Sequence, residues 1–82
     1  MITVRVFGVT RLLIKVNKIE IDASTVADVL KRIDKLYESI TINELRSCVI
    51  FVNGTNIVYL KRFSTKLKDG DEVQIFSPVG GG

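Results

Sequence analysis

Asp69-Gly70-Asp71-Glu72-Val73-Gln74-Ile75-Phe76-Ser77-Pro78-Val79-Gly80-Gly81-Gly82 reads as a turn, a strand and a tail without side chains. Asp-Gly-Asp is turn chemistry, because Asp bonds its own backbone and Gly supplies angles that other residues avoid. Glu72 to Phe76 alternates polar and apolar, the period of a half-buried strand. Pro78 has no amide hydrogen and confines Ser77 to extended angles, so the sheet is predicted to stop there. Gly80, Gly81 and Gly82 then form a thin strip of backbone ending in an α-carboxylate. Such a strip can thread a narrow slot in another protein. The plainer reading is a frayed chain end. The expected division is one domain over 1–77 and a flexible tail over 78–82.

Upstream of this stretch, Cys48-Val49-Ile50-Phe51-Val52 is a continuous apolar run, expected to be a central strand buried on both faces. Asn53-Gly54 closes it with a turn, and Ile57 to Leu60 is read as a short edge strand. Ser39 to Ser47 is a connection with a short turn of helix around Asn43 to Arg46. Before that the period changes to helical. Val26, Val29, Leu30, Ile33, Leu36 and Tyr37 fall on one stripe at spacings of three and four, with Thr25 as N-cap and Asp28 completing a weak capping box. This predicts an amphipathic helix of about 13 residues lying across a sheet. At the start of the chain Ile2, Val4 and Val6 alternate with Thr3, Arg5 and Phe7. Gly8 to Arg11 is read as a turn, and a second alternating run from Leu12 to Ile21 as the partner strand of an antiparallel hairpin. The order β-β-α-β-(β)-β predicts an α+β domain, a mixed sheet with one helix packed across it.

At 82 residues the chain holds one small core. One cysteine, Cys48, allows no internal disulfide, and its place in the apolar run marks it as a core residue more than a nucleophile. The longest apolar runs, about five residues, fall far short of the ~20 that span a bilayer, so a cytoplasmic protein away from membranes is expected. With no histidine in the chain, a Ser-His-Asp triad or Cys-His dyad has no base, and zinc lacks imidazole ligands. The spacing of Asp69, Asp71 and Glu72 does not match a calcium loop, and no phosphate-cradling glycine pattern occurs. No metal or bound cofactor is expected. The net charge is +3, with Lys61, Arg62, Lys66 and Lys68 close together. A solvated face is the preferred reading over a nucleic-acid patch, since no recognition element accompanies it; an acidic protein partner is compatible with it.

Val52-Asn53-Gly54, Asn56-Ile57, Thr65-Lys66-Leu67-Lys68-Asp69-Gly70-Asp71-Glu72-Val73 and Ile75-Phe76-Ser77-Pro78-Val79-Gly80-Gly81-Gly82 together resemble the MoaD-type sulfur carriers, the small subunits of molybdopterin synthase and their relatives. The resemblance spans the element order and is sharpest over the last thirty or so residues. Ser77-Pro78 replaces a frequent Pro-Pro, and the basic charge departs from many acidic members. The resemblance implies a ubiquitin-like β-grasp fold and no catalysis by the chain alone. It implies that the Gly82 carboxylate is adenylated with ATP on a ubiquitin-activating-type enzyme and turned into a thiocarboxylate by a sulfur donor. It further implies docking on the molybdopterin synthase large subunit, with Gly81 threading the slot and sulfur passing to a pterin precursor. Residues 79–82 can carry the terminus at most about 13 Å. Phe7, Phe76, Val79 and Gly80 are the implied partner contacts; for Phe7 and Phe76 core packing is the competing role. Other implied functions are the thiazole-pathway sulfur carrier and a protein modifier conjugated through Gly82, and an interaction domain with an inert tail is a further reading.

Overall fold

The computed structural model describes residues 1–77. A five-stranded sheet is formed by β1 (Ile2–Phe7), β2 (Lys18–Ile21), β3 (Val49–Val52), β4 (Thr55–Asn56) and β5 (Glu72–Phe76) in the order β2-β1-β5-β3-β4. The central strands β1 and β5 run parallel, and every other pair is antiparallel. This is the mixed sheet with one packed helix that the sequence predicts.

Helix α2 (Val26–Leu36) covers one face. The Thr25 hydroxyl accepts the Asp28 amide at 3.2 Å and satisfies a donor that the first turn leaves open. The Asp28 carboxylate accepts the Ser24 amide, one residue before the cap, so the expected capping box is replaced by this neighbouring bond. Val26, Val29, Leu30 and Ile33 are buried against Ile2, Val4, Val6, Ile50, Val52, Val73 and Ile75, the inward residues of three strands. Each such aliphatic contributes about 1.5–3 kcal/mol of transfer free energy. The helix is shorter than predicted, 11 residues. Leu36 is 58% exposed, because at 100° per residue it lies roughly 60–80° from the centre of the stripe. Tyr37 has already turned extended as the C-cap. The short helix between α2 and β3 is present as α3 (Ile42–Arg46), closed by a Thr41–Glu44 capping box.

Three expectations are corrected. The strand expected from Leu12 is a helix as far as Ile14, α1 (Val9–Ile14), and only Lys18–Ile21 pairs with β1. Gly8 at φ 73° ends β1, and Thr10 and Ile14, one helical turn apart, turn inward. The apolar run at β3 is not buried on both faces. Ile50 and Val52 face α2, whereas Val49 is 45% exposed and Phe51 half-buried on the opposite face. The edge strand is Thr55–Asn56, joined to β3 through Asn53 and Gly54, both at positive φ as a two-residue hairpin requires. Ile57–Tyr59 is instead a 3-10 turn, capped by the Asn56 side chain on the Val58 amide. Among the described residues no helix is long and apolar enough to cross a membrane.

Candidate functional site

Parallel pairing brings the C-terminal ends of the central strands β1 and β5 to the same end of the sheet, in the register Phe7↔Phe76. Inward neighbours Val6 and Ile75 are fully buried, so the alternation sends both phenylalanines to the face that α2 does not cover. Phe7 is 37% and Phe76 36% exposed. Their rings stack with centroids 4.6 Å apart and an interplanar angle of 8°. Phe51 meets Phe76 edge-on, at 5.5 Å and 76°. Val49, opposite Phe76 across the β3–β5 pairing, extends the surface. Both rings lie on the outer face and outside the α2-facing core.

Beside this surface the chain leaves β5. The Ser77 hydroxyl donates to the Phe7 carbonyl at 3.3 Å and accepts the Thr10 amide at 3.2 Å. One side chain thus ties the exit of β5 to the end of β1 and the start of α1. Gly8 leaves the room for it. On the same sheet, Arg5 Nε and Glu72 pair at 2.8 Å, a polar rim beside an apolar centre.

Gly82 and Gly81, the expected reactive end, and Val79 and Gly80, the further contact residues, lie outside the described residues. Phe7 and Phe76 are the two predicted site residues that the structure brings together. Phe51, Ser77, Thr10 and Gly8 join the site only in the folded structure. The signal available for Phe51 was its place between two inward residues, Ile50 and Val52.

Cys48 is half-buried, and its thiol lies 3.7 Å from Thr10 Oγ1 and 3.5 Å from the Glu44 carbonyl oxygen. Burial pushes the thiol pKa up and keeps it protonated, which suits packing rather than nucleophilic work. Among the described residues no group of three or more His, Cys, Asp or Glu side chains is placed to hold a metal ion. Lys61, Arg62, Lys66 and Lys68 are exposed and lie near the other end of β5, apart from the aromatic surface.

The ThiS family model matches residues 4–82, and the chain belongs to that family. It is 37% identical over 67 residues to small archaeal modifier protein 3 of Haloferax volcanii, an alignment covering 74% of this chain and 73% of that one. The solution structure of small archaeal modifier protein 1 from Methanosarcina acetivorans superposes with a TM-score of 0.88 at 28% identity, covering 99% and 95% of the two chains. A chain of the complex of subunits 1 and 2 of the molybdopterin-converting factor from Helicobacter pylori 26695 matches with a TM-score of 0.66 at 30% identity, covering 99% and 97%. The fold is the ubiquitin-like β-grasp, and the group is that of the ubiquitin-like sulfur carriers and protein modifiers.

Proposed function

We propose that this ThiS-family chain is a sulfur carrier that works through Gly82 as the small subunit of a molybdopterin synthase. A carboxylate is a poor electrophile. Attack of a Gly82 carboxylate oxygen on the α-phosphorus of ATP, with departure of pyrophosphate, makes it an acyl adenylate on a ubiquitin-activating-type enzyme. A sulfide-class donor then adds to the acyl carbon and AMP leaves, exchanging one oxygen for sulfur. The observation that carries the reading is the Phe7–Phe76 pair beside Ser77, an apolar platform where the chain turns into its glycine terminus. Aromatic anchors of this kind dominate interface energetics. A partner seated there, the large synthase subunit, would receive the terminus directly. Residues 79–82 reach at most about 13 Å, enough to keep the domain outside a pocket and the reacting atom inside it.

A second reading has its own support in the likeness to the archaeal modifiers: Gly82 joined through an isopeptide bond to lysines of target proteins. Both require an activated glycine and differ in the acceptor. Cell extracts resolved under denaturing conditions separate them. The carrier reading expects only the free species, together with a noncovalent complex under native conditions. A ladder of larger conjugates that disappears when Gly82 is deleted would establish the modifier instead.

A further inference from the structure

A second exposed apolar surface lies away from the aromatic platform. After β4 the chain makes two 3-10 turns, Ile57–Tyr59 and Arg62–Ser64, and reaches Lys68 before the turn into β5. Its inward side chains anchor it: Ile57 is buried, and Phe63 and Leu67 pack against the core. Its outward side chains are Val58, Leu60 and Tyr59, the last 81% exposed. Apolar residues exposed side by side in this way are the kind of surface that marks interaction sites when contiguous.

The segment is built rather than loose. The Lys61 amide donates to Thr65 Oγ1 at 3.0 Å, the Thr65 carbonyl accepts the Val26 amide at 3.1 Å, and the Leu67 amide donates to the Ser24 carbonyl at 2.8 Å. Arg62 is held at φ 50°, a conformation that costs free energy in any residue but glycine and needs its surroundings to maintain it. Between Tyr59, Leu60, Thr65 and Lys66 lies an open cavity of about 600 Å³. A neighbouring one of about 440 Å³ shares Leu60, Thr65 and Lys66 and continues towards Lys68. Together they form one groove.

Its charge is predominantly positive. Lys61, Lys66 and Lys68 line it, and Arg62 stands beside Lys61. Among the described residues the ion pairs are Met1 with Asp69 and Arg5 with Glu72, so none of these four cations has a carboxylate partner there. The one lining carboxylate, Asp71, is buried and already accepts from the Lys68 amide and the Asn53 side chain. The groove lies beside Val52 and Asp71, at the end of the sheet opposite Phe76. Four strand steps, about 13 Å, separate Glu72 from Phe76. A ligand in the groove therefore leaves the chain's exit at Ser77 uncovered.

We infer that the Tyr59–Lys68 groove is a docking site for an acidic amphipathic segment of a partner protein, its carboxylates on Lys61, Lys66 and Lys68 and its apolar side chains against Tyr59 and Leu60. Charge complementarity selects the partner's sign, and the apolar floor selects a peptide over a bare polyanion. Single-stranded nucleic acid fits less well, because it stacks on successive aromatic rings and Tyr59 stands between two aliphatic neighbours. The inference goes beyond the sulfur-carrier reading and does not depend on activation of Gly82.

The test is amide-shift mapping on the full 15N-labelled chain with a synthetic peptide of repeated Glu-Leu-Asp-Phe units. The same peptide with lysine for each acid, and a polyuridylate oligomer, serve as comparators. The acidic peptide should shift amides from Val58 to Lys68, bind less tightly as salt rises, and outcompete both comparators. Tyr59→Ala should weaken it about tenfold or more, and Lys61→Glu with Lys66→Glu should abolish the shifts. These side chains are exposed, so the variants keep the wild-type spectrum elsewhere. Absent shifts, shifts centred on Arg11 to Lys18, tighter binding of polyuridylate, or undiminished binding by Tyr59→Ala would each overturn the inference.

Discussion

Ser77 Oγ occupies the space that a Cβ on Gly8 would need: built on that backbone, the Cβ would stand 2.5 Å from the hydroxyl. Gly8 is at φ 73° and ψ −144°, a region that glycine alone occupies readily. Its identity is therefore fixed twice, by conformation and by contact. Gly8→Ala should destabilise the domain by about 2 kcal/mol or more in denaturant unfolding. In a Ser77→Ala background the clash is gone, so the same change should cost less by roughly 0.5–1 kcal/mol. Additive costs would mean that the two residues do not compete for this space.

The stacked pair Phe7 and Phe76 makes a separable claim. Phe76 is on the outer face and is not part of the α2-facing core. Phe76→Ala should leave a cooperatively folded protein. It should weaken the complex with a large synthase subunit by about 2 kcal/mol, roughly thirtyfold in Kd by titration calorimetry. Unchanged affinity would remove the aromatic platform from the interface, and loss of folding would show that its rings support the core.

Asp71 provides a pH test. The Lys68 amide at 2.9 Å, and then the Asn53 side-chain amide at 3.0 Å, hold its carboxyl below the ordinary carboxylate range. Because the folded state favours the ionised form, the stabilisation is complete above the unfolded-state pKa of about 4. It is lost as pH falls through the lower native value. Asp71→Asn places an amide against two donors and should cost roughly 1–3 kcal/mol at neutral pH. It should also flatten the decline of unfolding free energy below about pH 4. A variant with the wild-type acid profile would contradict this role.

Local rules reached far in this chain where one signal acted alone. The stripe from Val26 to Ile33, the Thr25 cap, the Asn53-Gly54 turn and the alternation of Glu72 to Phe76 each specify their element from neighbouring residues. Val9 to Ile14 did not yield to such rules, because apolar residues at 12, 13, 14 and 16 fit either period. The helix there is decided by the backbone at Gly8, by burial of Thr10 and Ile14, and by the Ser77 contact from the far end of the chain. Phe51 was hidden for a related reason. A run of apolar residues does not say which face the helix will leave open until α2 is placed. Phe7 and Phe76 are legible singly in the sequence, but only the parallel β1–β5 register stacks them.

The central claim is that Gly82 is the reacting residue, and intact-mass measurement tests it most directly. Incubated with its cognate activating enzyme, ATP and a sulfide donor, the full chain should gain the mass of one oxygen-to-sulfur exchange. The chain lacking Gly82 should gain nothing while unfolding at the same temperature, since the core is built from residues between Ile2 and Ile75. No gain by the full chain, or an equal gain by the truncated one, would contradict the assignment.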